Sequence, residues 1–187
     1  MNIGCDIDGT CLDFSNKFTV WMVQKHKQYI LNKDIEKYFP MYKVYEQNNT
    51  EECYDLKLYA GCKDVLNVAM SKGDKILFIT KRGQVSSLEK EAQVIALTKK
   101  WQKENFPSAE GVVFTGTKEQ YAKDKKIDIM IEDDAGNANL IAVYCPVILI
   151  SRSWNRHITL HPNVIVAENW TEVDLILSNF EKYVNPQ

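Results

Sequence analysis

Met1-Asn2-Ile3-Gly4-Cys5-Asp6-Ile7-Asp8-Gly9-Thr10 begins the sequence, and its pattern points to the fold class. Its apolar positions up to Ile7 suit a short strand buried on both faces of a sheet. Two carboxylates, Asp6 and Asp8, stand at the strand's end. Gly9 follows, a residue that tolerates unusual dihedrals, so the chain can turn sharply there. In open parallel sheets, ligands bind beyond the carboxyl ends of the strands. The rest of the chain should therefore supply more strands, each with chemistry at its end.

Working outward, residues 75–79 form a continuous apolar strand, and residues 111–114, 127–131, 147–150 and 164–166 read as further strands. Helical spacing of apolar residues marks 12–29, 63–71, 86–104, 118–125, 137–144 and 171–183. Strands alternating with helices imply right-handed crossovers and a parallel sheet covered on both faces. The fold class is α/β. Between residues 32 and 58 the pattern changes: Tyr38, Phe39, Tyr42, Tyr45 and Tyr54 sit among polar and acidic residues around Pro40. That stretch reads as short helices of a separate small lobe.

The residues after each strand share a character. Asp6 and Asp8 follow the first; Thr80, Lys81 and Arg82 the second. Thr115, Gly116, Thr117 and Lys118 follow the third, Glu132, Asp133 and Asp134 the fourth, and Ser151 and Arg152 the fifth. Several carboxylates gathered at one edge repel one another unless a cation neutralises them, and hard oxygen ligands in that number suit Mg²⁺. Asp6 has the chemistry of a nucleophile toward phosphorus, and carboxylates that form covalent phosphoryl intermediates are an established route. Asp8 is placed to protonate a leaving group and then deprotonate water. Thr80 and the nearby backbone N–H groups can donate to phosphoryl oxygens, and Lys118 supplies positive charge. Trp154, Asn155 and Arg156 are either structural or close over this edge from the fifth strand.

Composition bounds the partners. The 187 residues are 45% hydrophobic and 26% charged, with a formal net charge of −2, the ordinary range for a globular domain. The lack of a basic balance argues against a nucleic-acid backbone as partner. Five scattered cysteines without a Cys-x-x-Cys pair fit reduced thiols rather than a disulfide frame or zinc site. No run approaches the roughly 18 apolar residues of a membrane helix, and no leader segment is expected. A cytoplasmic location follows as the expectation.

These residues resemble the haloacid dehalogenase-like (HAD) hydrolase superfamily. Asp6-Ile7-Asp8-Gly9-Thr10 is similar to its first motif, Ile79-Thr80 to the second, Lys118 to the third-motif lysine, and Ile131-Glu132-Asp133 to the fourth-motif acids. The resemblance implies a Rossmann-like core with a central parallel sheet, and Mg²⁺ held by Asp6, the Asp8 backbone carbonyl and Asp133. Asp134 is the rival of Asp133 as metal ligand, and Lys123 the rival of Lys118, with Lys125 behind it. Within the superfamily, the Asp second after the nucleophile favours phosphatases and phosphotransferases.

The segment from Asp6 to Phe14, the small lobe, and the run from Val147 to Trp170 resemble the 5′(3′)-deoxyribonucleotidase family and its bacterial relatives. That likeness implies a core of residues 1–15 and 60–187, a helical cap of residues 16–59, and Phe14 flanking the base or sugar of a nucleoside monophosphate. Lys81 and Arg82 join Thr80 and Lys118 as expected substrate-binding residues. A homodimer stays open. A sugar-phosphate or other small-metabolite phosphatase is the alternative reading, ahead of a polynucleotide-end phosphatase or a non-catalytic phosphate-binding module.

Overall fold

A computed structural model describes residues 1–26, 37–48, 56–83 and 88–184. Along the chain run β1 (Asn2–Cys5), α1 (Ser15–His26), α2 (Phe39–Asn48), α3 (Cys62–Ser71), β2 (Lys75–Thr80), α4 (Leu88–Asn105) and β3 (Gly111–Phe114). Then come α5 (Lys118–Asp124), β4 (Ile129–Glu132), α6 (Ala135–Ile141), β5 (Val147–Ile150), β6 (Val164–Ala167), α7 (Trp170–Ser178) and α8 (Phe180–Val184). The six strands make one sheet in the order β3-β2-β1-β4-β5-β6, and every pairing is parallel.

The pleat sends successive residues of each strand to opposite faces, and two cores result. Phe78, Ile129, Ile131, Ile148 and Ile150 pack with Leu66 of α3, Trp101 of α4 and Trp170 and Val173 of α7. Ile79, Met130, Val147 and Leu149 pack with Ala122 of α5 and Ala138 and Ile141 of α6. Both faces are thus covered, so β5 is apolar and buried along its length, and β4 is buried throughout and apolar up to Glu132 at its end.

β1 is central, and the strand order reverses direction around it. The crossovers from β1 to β2 and from β1's other neighbour leave on opposite sides, opening a crevice beyond the carboxyl ends of β1, β2 and β4. Such a reversal is where parallel sheets of this type bind ligands.

Several element boundaries differ from the sequence expectation for local reasons. The first strand ends at Cys5, because Gly9, Cys11 and Leu12 close a backbone turn onto Leu12 and Ile7 carbonyls. α1 starts at Ser15 rather than 12: the Asp13 carboxylate accepts from the Ser15 N–H (3.2 Å) and hydroxyl (2.6 Å), acting as its cap. α6 starts at Ala135, two residues earlier than expected, because Asp134 caps it through the Asn137 N–H at 2.7 Å. The closing helix divides at Asn179, whose side chain turns back to the Leu175 carbonyl (2.8 Å). Expected helix at 27–29 and at 86–87, and the lobe around Tyr54, lie outside the described residues.

The chain leaves and re-enters the sheet region through a narrow neck. The Asp13 N–H donates to the Lys57 carbonyl (3.0 Å) and the Tyr59 N–H to the Cys11 carbonyl (2.9 Å). Beyond the neck, α1 and α2 pack through rings: Phe18 lies 5.5 Å from Tyr42 and 5.8 Å from Tyr45, and Trp21 5.5 Å from Tyr45.

Candidate active site

A cavity of about 200 Å³ lies over the carboxyl ends of β1, β2 and β4. Asp6, Asp8, Thr80, Lys81, Arg82, Lys118, Asp133, Asp134 and Asn137 line it, with the rings of Phe14 and Tyr42 on the α2 side. Of the residues expected to act on or bind a substrate or metal, Asp6, Asp8, Phe14, Thr80, Lys81, Arg82, Lys118, Asp133 and Asp134 meet here, whereas Lys123 and Lys125 do not.

Lys118, the first residue of α5, is buried. Its ammonium lies 2.6 Å from Asp6 Oδ1 and 2.5 Å from Glu132 Oε1. The other oxygen of Glu132 accepts the N–H groups of Asp133 (3.0 Å) and Asp134 (3.2 Å), so this fully buried carboxylate fixes both the lysine and the turn after β4. The sequence marked Glu132 as part of an acidic run without showing that it would face Lys118. Lys123 instead lies over the Tyr144 ring, 5.3 Å from its centroid, and Lys125 over Tyr121 at 6.0 Å.

Asp133 is held from three directions. Thr10 donates to Oδ1 (2.9 Å), the Trp154 indole to Oδ2 (3.1 Å), and the Asn155 amide to its backbone carbonyl (2.7 Å). Asn155 also donates to the Ile150 carbonyl (2.9 Å), tying the segment after β5 to the site. Trp154 and Asn155 are therefore supports of Asp133. Arg156 is not near the cavity: it pairs with exposed Glu168 at 3.2 Å. Asp134 spends a carboxylate oxygen as the cap of α6.

The loop after β1 is braced as well. Arg152 donates to the Gly9 carbonyl (2.8 Å) and lies 3.7 Å above the Tyr59 ring, a cation–π contact. The Trp170 indole donates to the Thr10 carbonyl (3.2 Å). Cys5 and Cys11 thiols both donate to the Asp6 carbonyl, at 3.3 and 3.2 Å.

At the end of β2 the basic pair is turned onto protein groups. Arg82 forks onto Asp8, with Nε 2.6 Å from Oδ2 and Nη2 2.5 Å from Oδ1. Lys81 donates to the Asn137 side-chain oxygen at 2.6 Å. Thr80 is buried, and its hydroxyl accepts the Arg82 N–H (3.1 Å).

The electrostatics of the cluster call for added positive charge. Carboxylate oxygens of Asp6, Glu132 and Asp133 lie within 4.8 Å of one another, and all three residues are buried. Burial pushes the Asp6 carboxyl up to about 7, with Glu132 and Asp8 adding to the rise and Lys118 opposing it. Burial, then Asp6 and Glu132, hold Asp133 well above the ordinary carboxylate range. For Lys118 burial favours the neutral amine, but Asp6 and Glu132 outweigh it and keep the ammonium. With all three acids ionised, one lysine would leave net negative charge, at a cost of several kcal/mol per uncompensated buried ion, so the cluster holds protons or takes a cation. A hard divalent cation between Asp6 and Asp133 fits this donor set. Glu132 fits less well, since both its oxygens already hold N–H donors.

The fold is shared with solved structures. A D,D-heptose 1,7-bisphosphate phosphatase from B. bronchiseptica, complexed with magnesium and phosphate, superposes with a TM-score of 0.59 at 11% identity, over 96% of this chain and 99% of that one. A haloacid dehalogenase-like family hydrolase from Xanthomonas campestris gives 0.57 at 11% identity, covering 100% and 98%. A HAD-superfamily hydrolase from Ehrlichia chaffeensis gives 0.55 at 11%, covering 95% and 96%. At such identity these likenesses show the fold alone, which is the HAD fold expected from the motifs. No curated protein matches the sequence. The family model described as 5′ nucleotidase, deoxy (Pyrimidine), cytosolic type C protein matches residues 1–181. The chain belongs to that family, and it is a phosphatase of the HAD type.

Proposed function

We propose that this chain is a Mg²⁺-dependent phosphomonoesterase that works through an aspartyl-phosphate on Asp6 and releases inorganic phosphate from nucleoside monophosphates. The observation that carries the reading is the Asp6–Lys118–Asp133 cluster on the floor of the cavity, a buried carboxylate paired to one ammonium beside a second carboxylate. The family description, a deoxy-pyrimidine 5′ nucleotidase, supports the substrate class.

In this reading Mg²⁺ is held by Asp6, the Asp8 carbonyl and Asp133, and when bound it supplies positive charge against the phosphoryl oxygens. A carboxylate oxygen of Asp6 attacks phosphorus while the P–O bond to the ester oxygen breaks. Asp8 gives its proton to the departing alkoxide, then takes one from the water that attacks the aspartyl-phosphate, which frees inorganic phosphate and restores Asp6. Thr80 and Lys118 hold the transferring group. Phe14 flanks the sugar or base, and its ring already lies against Tyr42 at 4.7 Å.

In this proposal residues 1–15 and 60–187 form the core and 16–59 the cap, which the narrow neck at Asp13 and Tyr59 supports. A cytoplasmic location accords with the unbridged, buried Cys5, Cys11, Cys62 and Cys145. No helix among the described residues is long and apolar enough to cross a membrane.

One observation favours a second reading. The cavity, about 200 Å³, is below the roughly 300 Å³ at which ligand clefts usually begin, which suits a smaller phosphate ester. A phosphate-release panel decides between the two. Deoxynucleoside monophosphates, sugar phosphates and an aryl phosphate are compared with and without Mg²⁺, for the wild type and Asp6→Asn. The nucleotidase reading requires Mg²⁺ dependence, preference for the nucleotides and loss of turnover in the folded variant. Nucleotides no better than the aryl ester would sink the substrate class, and a fully active Asp6→Asn would sink the mechanism.

A further inference from the structure

Among the described residues lining the cavity, Lys118 and Arg82 are buried cations, and they are divided between Asp6 and Asp8. Lys118 sits on Asp6. Arg82, with only 2% of its side chain exposed, sits on Asp8. Its Nε and Nη2 meet the two Asp8 oxygens in the bidentate geometry that fixes the plane of a carboxylate as well as its position. The Tyr42 hydroxyl adds a third donor, 3.2 Å from Asp8 Oδ1, brought in from α2.

The backbone aims Arg82 at this partner. Its N–H is bonded to the Thr80 hydroxyl at 3.1 Å, and the next residue, Gly83, takes a φ of 82°, a left-handed turn that favours glycine. The guanidinium is thus rooted at the end of β2 and delivered to the carboxylate at the end of β1. Here Nε and Nη2 are both committed to Asp8.

We propose that Arg82 is a positioning residue: it acts on the reaction through Asp8, holding the proton-transferring carboxylate in line with the ester oxygen, and is not a ligand of the transferred phosphoryl group. The inference rests on the reading of Asp8 as the group that protonates the leaving alkoxide. It differs from the sequence expectation, in which Arg82 joined Lys81 as a substrate-binding cation. Because the contact is a planar fork, lysine cannot reproduce it; an ammonium restores the charge but not the orientation.

The two roles separate by leaving group. An alkyl ester, such as a deoxynucleoside 5′-monophosphate, needs its departing oxygen protonated. 4-Nitrophenyl phosphate expels a weakly basic phenolate and needs this far less. kcat/KM reports the steps through leaving-group departure, so it is measured on both esters for wild type, Asp8→Asn, Arg82→Gln and Arg82→Lys. Inhibition by inorganic phosphate reads phosphoryl binding on its own.

For both Arg82 variants kcat/KM on the alkyl ester should fall about 100-fold, the cost of misplacing a general acid. The fall on the aryl ester should be less than about 10-fold, and the phosphate inhibition constant should stay within about 3-fold. Equal losses on the two esters with weakened phosphate inhibition would assign Arg82 to the phosphoryl group and overturn the proposal. So would full activity of Arg82→Lys on the alkyl ester, since charge alone would then suffice. If Asp8→Asn itself spares the alkyl ester, the reading of Asp8 fails, an outcome distinct from failure of Arg82 alone. Should the Arg82 variants not fold, Tyr42→Phe decides. It should lose about 3- to 10-fold on the alkyl ester with the aryl ester spared, and parallel loss on both esters, or none on either, would count against the proposal.

Discussion

The Asp133 carboxylate occupies the space into which a side chain at Gly9 would project: a Cβ built on residue 9 would overlap its oxygens. Gly9 also has a φ of 76°, in the left-handed region. Two elements 124 residues apart in sequence, as 133 − 9 gives, are thereby pressed together, and the glycine lets the β1 turn approach the acid after β4. Gly9→Ala should lose roughly 2 kcal/mol or more of stability, from the backbone cost and the displaced carboxylate together. It should also weaken Mg²⁺ binding. Denaturant unfolding and calorimetric Mg²⁺ titration check the two effects.

Lys118 is the cation to which both Asp6 and Glu132 are paired. Lys118→Met leaves buried acids uncompensated, and about 3 kcal/mol of stability should be lost, as is usual when one partner of a buried pair is removed. Adding Asp6→Asn should recover part of that loss, because one of the stranded charges is gone. A double-mutant cycle measures the coupling, and strict additivity would show that the pair contributes nothing.

Trp154 donates to Asp133 at 3.1 Å and packs against Phe14, with centroids 5.6 Å apart. Trp154→Phe keeps the ring and removes the N–H. Mg²⁺ affinity should fall about 10-fold, the common cost of losing an outer hydrogen bond to a metal ligand. Titration of the ion against thermal stability reads this without reference to turnover.

The buried acids make stability depend on pH in a defined direction. Asp6 rises from an ordinary value of 3.8 to about 7 in the folded chain, so the folded state binds that proton more tightly than the unfolded one. Its contribution is fully present below about pH 4 and is lost as pH rises through about 7. Metal-free protein should therefore lose stability over that window from this group. Mg²⁺ competes with the same proton, so its stabilising effect should be larger near pH 8 than near pH 5. Melting curves at both pH values, with Mg²⁺ and with chelator, test the sign; an equal or reversed gain would refute it.

Much of the site was legible because strand ends in a parallel sheet converge by topology, without any need to know a side chain's conformation. Asp6, Asp8, Thr80, Lys118 and Asp133 each follow an apolar run, and each lines the cavity. Choosing Lys118 over Lys123 was open in one dimension only: residues five apart in one helix point to different sides, and Lys123 turns to Tyr144. Likewise Asp134 reads as a second acid until the start of α6 requires it as a cap.

Hydrophobic period and strand-end chemistry are local properties, so the α/β class, the alternation of strands and helices, and the residue types at the sheet's catalytic edge can be read along the chain. The pairings come from the folded chain. That Arg82 faces Asp8, that Glu132 anchors Lys118, and that Trp154 and Asn155 hold Asp133 depends on side chains meeting across β1, β2, β4 and the loop after β5. Those contacts follow from strand order and from the burial that leaves each charged group few partners within reach. No local pattern in the chain encodes them.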